Sequence, residues 1–222
     1  MTYLYFDLET IPAQDAETRA RIADTVKPPA TMKKAETIAA WEAEQKPVAV
    51  EEAIAKTGLN GAYGHICCIG FAVDDGKVCS RTAMHVDQEE EVITLFFDHV
   101  KSLIGMRQPT LVGHFITGFD IRFIWQRCIV LGIRVPSWLP RDPKPWDSSV
   151  FDTMTAWAGS RDTISMNNLC HALGLPGKGD VDGSMVGQMF ADGKFEEIAE
   201  YNRQDVEMVR RIHRKMMIAF GG

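Results

Sequence analysis

The stretch Tyr5-Phe6-Asp7-Leu8-Glu9-Thr10 sets two carboxylates two residues apart in a run that is otherwise mostly aromatic and aliphatic. In an extended strand, residues two apart share a face. Leu4, Phe6 and Leu8 then line one side, and Tyr3, Tyr5, Asp7 and Glu9 the other. Two neighbouring carboxylates repel unless water, hydrogen-bond donors or a cation stands between them. A further acid, Asp205, falls on the apolar stripe Ile198, Val209, Ile212, Met216 of a helix-patterned C-terminal segment, with Tyr201 one turn before it on the same side. Asp120 opens another predicted helix in GHFITGFDIRF, enclosed by Phe115, Ile116, Phe119, Ile121 and Phe123. Hard divalent cations such as Mg²⁺ or Mn²⁺ take oxygen ligands, and two of them about 4 Å apart can hold the attacking and leaving oxygens of a phosphodiester displacement. Four carboxylates gathered at one end of a sheet would suit that chemistry. Each segment alone also fits a plain structural reading: a strand with one wet face, a charged first turn, or an Asp at a stripe's edge paired with an arginine.

The elements that must position these acids are legible from periodicity and turn residues. Residues 2–9 pattern as a strand. Residues 13–60, rich in Ala, Glu and Lys and broken at Pro28, Pro29 and Pro47, read as a helical insertion before the second strand. HICCIGFAVDDGKVCSRTAMHV predicts a hairpin turning at DDGK. Asp87, with Glu90 three residues on, predicts a capping box for the helix EEVITLFFDHVKSLI, and the run Glu89–Glu91 a charged first turn. PTLVGH at 109–114 is a short strand of the kind buried on both faces. A helix over 118–131, a loop rich in Pro and Trp over 132–148, a fifth strand in SVFDTM, a helix from Ser165, the turn-rich PGKGDVDGS and a long helix over 194–219 complete the chain. Three meandering strands followed by strands alternating with helices predict an α/β fold, a mixed five-stranded sheet flanked by helices, in a single domain over 1–222.

The 222 residues carry a formal net charge of -6, which argues against coating nucleic acid by bulk electrostatics. The charge is uneven. Between Ile121 and Trp146 stand Arg122, Arg127, Arg134, Arg141 and Lys144 against Asp142, with Trp125, Trp138 and Trp146 among them. Basic residues mixed with aromatics suit a single-strand track, and equally a solvated helix-and-loop face. No apolar run reaches the roughly 18 residues of a membrane span, and the N-terminus lacks the basic region and apolar core of a signal peptide, so a cytoplasmic protein with no membrane partner is expected. The cysteines Cys67, Cys68, Cys79, Cys128 and Cys170 form no CxxC pair, which speaks against a disulfide framework or zinc; HICC reads as buried strand.

FDLET, GHFITGFD and YNRQD resemble the three exonuclease motifs of the DEDD, or DnaQ-like, 3′→5′ exonuclease superfamily, which has a ribonuclease H-like fold. The Tyr-three-residues-Asp spacing resembles the tyrosine branch; the histidine branch would have His at position 200, where Glu200 stands. The segment GLPGKGDVDGSMVGQMFADGKFEEIAEYNRQDV further resembles predicted exonucleases related to the proofreading domain of family B DNA polymerases. The resemblance implies a 3′→5′ exonuclease using two divalent cations, Mg²⁺ or Mn²⁺, to release nucleoside 5′-monophosphates from single-stranded DNA. The alternatives are an exoribonuclease and, in another class, a catalytically silent nucleic-acid-binding module. By motif position Asp7 would bridge both ions, Glu9 and Asp205 would complete the nucleophile's site, and Asp120 would support the second ion. Tyr201 would orient the water, since a phenol with pKa near 10 is a poor base at neutral pH. Leu8 and Thr10 would touch the terminal nucleotide and Phe119 a base or sugar, with core packing the alternative for all three. Phe115 stands where the family commonly has a strand-contacting Asn, for which His114 would substitute. Lys178 and Arg203 would be phosphate contacts, or else solvated surface. The partner implied is single-stranded nucleic acid, DNA preferred over RNA, with any polymerase or repair partner acting in trans.

Overall fold

In the computed structural model, which describes residues 1–177 and 182–221, the strand that carries Asp7 and Glu9 runs Tyr3–Ile11 (β1). Its alternation decides what packs on each side. Leu4, Phe6 and Leu8 enter one core, while Tyr5 enters another on the opposite face of the sheet. After β1 the chain leaves through three helices, Ala16–Thr25 (α1), Ala35–Glu44 (α2) and Lys46–Ala55 (α3). It returns as His65–Val73 (β2) and Cys79–Thr82 (β3), joined by a turn with Asp74 at φ 50° and Gly76 N–H bonded to the Val73 carbonyl. Glu89–Ile104 (α4), Thr110–Gly113 (β4), Asp120–Leu131 (α5) and Val150–Asp152 (β5) follow. Thr153–Ala158 (α6), Met166–Ala172 (α7), Val186–Ala191 (α8) and Phe195–Phe220 (α9) close the chain.

The five strands form one sheet in the order β3-β2-β1-β4-β5. β1 pairs antiparallel with β2 and parallel with β4, and β4 pairs parallel with β5. This is the mixed sheet that the sequence predicts, with β1 at its centre. On one face α4 and α5 press Ile93, Phe96, Val100, Phe123 and Ile124 against Leu4, Phe6 and Phe71. On the other, α9 lays Val206, Val209, Ile212 and Met216 over Tyr5, Ala72 and Val112. A third cluster joins Ile11, Cys67 and Cys68 to α8 and to Ile198 and Tyr201 of α9. No disulfide forms among the described residues, and none of their helices is long and apolar enough to cross a membrane.

Two local expectations are corrected. The α4 entry is not a box built by Asp87 and Glu90. Gln88 serves instead, its Oε1 accepting from Met84 N–H (2.8 Å) and His85 N–H (3.1 Å). Glu89 is not a solvated first-turn charge: it is 2% exposed. Arg127 of α5 grips its carboxylate with Nε and Nη2, each at 2.7 Å, while Ile66 N–H donates at 2.8 Å and His65 Nδ1 lies at 3.0 Å. Burial works against the Glu89 anion, but the hydrogen bonds from His65, Arg127 and Ile66 outweigh it and hold the carboxyl below its ordinary range. Arg127 therefore belongs to no surface track. Trp138 is likewise buried, edge-on to Phe96 and Phe97.

Candidate active site

Because β1 pairs regularly with β2 as far as Glu9, before a bulge shifts the register at Thr10, Asp7 and Glu9 emerge together on the α9 side, opposite Gly70 and Cys68 of β2. Helix α9 lies across that face and brings Asp205 down onto them. One carboxylate oxygen from each of Asp7, Glu9 and Asp205 lies within 4.8 Å of the others. Such a span is close to the separation of oxygens that share one hard cation at about 2.0–2.6 Å. Glu9 and Asp205 are buried and Asp7 is half-buried. The three acids form the floor of a cleft of about 690 Å³, also lined by Tyr201, His114, Phe115 and Asp182. Tyr201 is one turn before Asp205 on the same face of α9, and its hydroxyl lies close to the backbone of Gly183.

Asp120 stands apart from this trio. It is 4% exposed at the start of α5, and its Oδ1 accepts from Leu8 N–H at 3.1 Å, so it holds the β1 backbone between the two acids rather than lining the cleft. Burial pushes its carboxyl up to about 7, against the Leu8 N–H that favours the anion, and the nearby Asp152 adds to the rise.

The remaining predicted residues divide. Leu8 reaches the cleft while its side chain belongs to the core. His114 lines the cleft and is fixed there, Nδ1 at 3.0 Å from Thr153 Oγ1 and Nε2 at 2.9 Å from the Ile164 carbonyl. Phe115 also lines the cleft, 44% exposed, on a left-handed backbone at φ 63°. For a bulky residue that conformation is strained. Asp152 holds it, accepting from Phe115 N–H and Thr117 N–H, each at 3.0 Å. The Phe115 ring lies over Gly118, where a Cβ would come within 2.2 Å of it. Thr10 does not line the cleft: it sits on the face opposite Glu9, and its hydroxyl donates to the Gly58 carbonyl at 2.7 Å, fastening the segment that follows α3. Phe119 packs on the core and against the Phe123 ring. Arg203, two residues from Asp205, is carried by helical geometry to the far side of α9. There it pairs with Glu196 (2.6 Å) and Glu200 (2.9 Å) and donates to Ser80 Oγ on β3. Lys178 lies outside the described residues.

Two residues escaped the sequence reading. Asn202 is fully buried beneath the acids, and its Nδ2 donates to Asp7 Oδ2 (2.9 Å) and Glu9 Oε1 (3.4 Å). Cys68 Sγ–H donates to Asn202 Oδ1 at 3.4 Å, which agrees with the amide facing its nitrogen to the carboxylates. Gly70 makes room for it, since a Cβ there would stand 2.2 Å from Asn202 Oδ1. The signal was available: Asn202 falls four residues after Ile198 and four before Val206, a polar residue on the same apolar stripe that singled out Asp205. Asp182 is the second, a cleft-lining acid that also caps Ser184 N–H at 2.8 Å. It lay in a segment legible only as turn-rich.

Comparison with known proteins bears on the fold and the family. The family B DNA polymerase from the hyperthermophilic archaeon Pyrobaculum calidifontis matches the structure with a TM-score of 0.61 at 15% identity. That match covers 98% of this chain, β1 included, and 24% of the polymerase chain, so the protein spans about a quarter of that relative's length. At this identity the likeness establishes the fold. No curated protein sequence matches. A family model described as a predicted 3′-5′ exonuclease related to the exonuclease domain of PolB matches residues 61–219, a span that holds Asp120, Tyr201 and Asp205 and begins after Asp7 and Glu9. By the extent of that match, the chain belongs to the family of predicted 3′-5′ exonucleases related to the exonuclease domain of PolB.

Proposed function

We propose that this protein is a metal-dependent 3′→5′ exonuclease that hydrolyses the terminal phosphodiester of single-stranded DNA and releases nucleoside 5′-monophosphates by a two-metal mechanism. The observation that carries the reading is the trio Asp7, Glu9 and Asp205, three carboxylates with oxygens within 4.8 Å at the floor of an open cleft beside Tyr201. An all-oxygen, all-anionic donor set fits Mg²⁺ or Mn²⁺ rather than a softer metal. Two bound divalent ions would supply an acidified water and charge neutralisation at the departing 3′ oxygen. Asp7 and Glu9, held by the Asn202 amide, present their oxygens from a strand at the sheet's centre, where geometry is rigid. Tyr201 orients the attacking water as a hydrogen-bond partner and not as the base. Asp120 steadies the β1 backbone between the two ligands and, in this reading, supports the second ion through water. Leu8 and the Phe115 ring meet the terminal nucleotide. The protein works on single-stranded ends.

Digestion of 5′-labelled DNA and RNA oligonucleotides with Mg²⁺, Mn²⁺ or EDTA tests the reading. A ladder shortening from the 3′ end of DNA, abolished by EDTA and by Asp7→Ala, is the expected result. Faster shortening of RNA would transfer the assignment to an exoribonuclease. Absence of cleavage on both polymers, or cleavage indifferent to Asp7→Ala, would refute the nuclease.

A further inference from the structure

Beside the cleft runs a groove of about 230 Å³ along the outer face of α5. Ile121, Arg122, Trp125 and Ile129 line its helical wall, and Arg141 and Asp142 its other side. Eight helical rises from Ile121 to Ile129 give it a length of about 12 Å. The 115–117 turn contributes to both the groove and the cleft. Phe115 lines the cleft and Thr117 the groove, and Asp152 accepts from both backbone N–H groups. The loop that carries Arg141 is tied to α5 by Trp125 Nε1–H, which donates to the Pro140 carbonyl at 2.9 Å.

The charges here are not all equivalent. Arg127 is spent inside the protein on Glu89, and Lys144 pairs with Asp142 at 2.7 Å. Arg122 and Arg141 are exposed, and among the described residues no carboxylate stands within ion-pair distance of either. Asp142, already bonded to Lys144, is the acid whose carboxyl both arginines favour in its ionised form. The groove thus offers two guanidinium groups and an indole next to a cleft whose own floor is anionic. In a chain of net charge -6, a local patch of this kind is what can hold a polyanion near carboxylates that repel it.

We propose that this groove seats the phosphodiester backbone of the single strand upstream of the nucleotide in the cleft. Arg122 and Arg141 contact successive phosphates, and the Trp125 face lies against a base or sugar. The proposal rests on the reading of the cleft as the seat of a 3′ end. Phosphate is common to DNA and RNA, so the groove serves either backbone and the cleft alone selects the sugar.

The test is equilibrium binding by fluorescence anisotropy, in an Asp7→Ala background that leaves the probe intact. The probes are 5′-fluorescein oligo-dT and oligo-U of 4 and 12 nucleotides. The 12-mer should bind at least tenfold tighter than the 4-mer. Adding Arg122→Glu and Arg141→Glu should remove most of that gain and flatten the dependence of log Kd on log salt by about 1.4, at about 0.7 per phosphate on a single strand. Arg122→Lys with Arg141→Lys should keep the slope, and Arg122→Ala or Arg141→Ala alone should remove about half of it. Both side chains are exposed, so unfolding midpoints should match the parent. Full length-dependence retained in the Glu pair, or an equal loss for 4-mer and 12-mer, would overturn the proposal. Arginine-dependent binding of the 12-mer by a protein that cleaves neither polymer would refute the nuclease and leave the groove standing.

Discussion

At Glu89 a buried carboxylate meets its counter-charge from within the protein: Arg127 clasps it with two bonds of 2.7 Å, and Ile66 N–H adds a third donor. At Asp7, Glu9 and Asp205 three carboxylates converge within 4.8 Å, and a donor that joins Asp7 to Glu9 is the neutral amide of Asn202. Both places bury acid beside the β1–β2 pair. The first is charge-balanced by the chain itself and pins α4 to α5. The second gathers three carboxylates at an open cleft, an all-oxygen set of the kind a hard divalent cation would suit. A buried carboxylate in this fold thus pins helices where an arginine clasps it, and lines a cleft where other acids converge on it.

The comparison breaks if the two clusters respond alike to mutation. The largest effect should come from Asp205→Asn. Single-turnover digestion should slow at least a thousandfold, about 4 kcal/mol of barrier. Urea unfolding in EDTA should meanwhile show little change in stability, because Asn keeps the side chain's size and its hydrogen-bonding capacity. Glu89→Ala should do the reverse, costing about 3–5 kcal/mol of stability while each folded molecule keeps its activity. Replacing both partners, Glu89→Leu with Arg127→Met, should recover much of that loss, since an apolar pair removes the stranded charge.

Acidity separates the regions next. Asp120, bonded to the Leu8 backbone, has its carboxyl raised to about 7 by burial, so between about pH 4 and 7 the folded protein keeps a proton that the unfolded chain has lost. Stability of the metal-free protein should therefore fall, on the order of a few kcal/mol, as pH rises through that window, and Asp120→Asn should flatten the slope. Glu89 has the opposite sign. Its carboxyl is held low, so its stabilisation is present above about pH 4.5 and is lost as pH falls further, a limb that Glu89→Gln should remove. The smallest change should follow Asn202→Ala. Divalent-ion affinity, read as Mg²⁺-induced thermal stabilisation, should weaken about 10–100-fold, as for other residues that orient metal ligands. An unchanged Mg²⁺ titration would make Asn202 a packing residue.

Much of this was legible because periodicity records which side of an element is buried. The β1 alternation separated Asp7 and Glu9 from Leu4, Phe6 and Leu8, and the structure places Phe6 and Asp7 on opposite faces as that pattern demands. The α9 stripe singled out Asp205. The failures share another cause. Glu89 looked like a first-turn charge and Arg127 like part of a basic track because their partnership spans 38 residues and leaves no local trace. Thr10 and Arg203 lay inside recognised motifs, but one residue of strand or two of helix turned them away from the cleft.

The sequence by itself determined the elements, their buried faces and the acids that those faces carry, for these depend on side-chain spacing along a few turns or strand residues. Only the tertiary structure decided that α9 crosses β1 so that Asn202 meets Asp7 across 195 residues, that Asp120 bonds the Leu8 backbone, and that Arg127 is spent inside the protein on Glu89. Those outcomes are distances through space. They follow from how the sheet pairs and where the helices dock, terms that no local pattern contains.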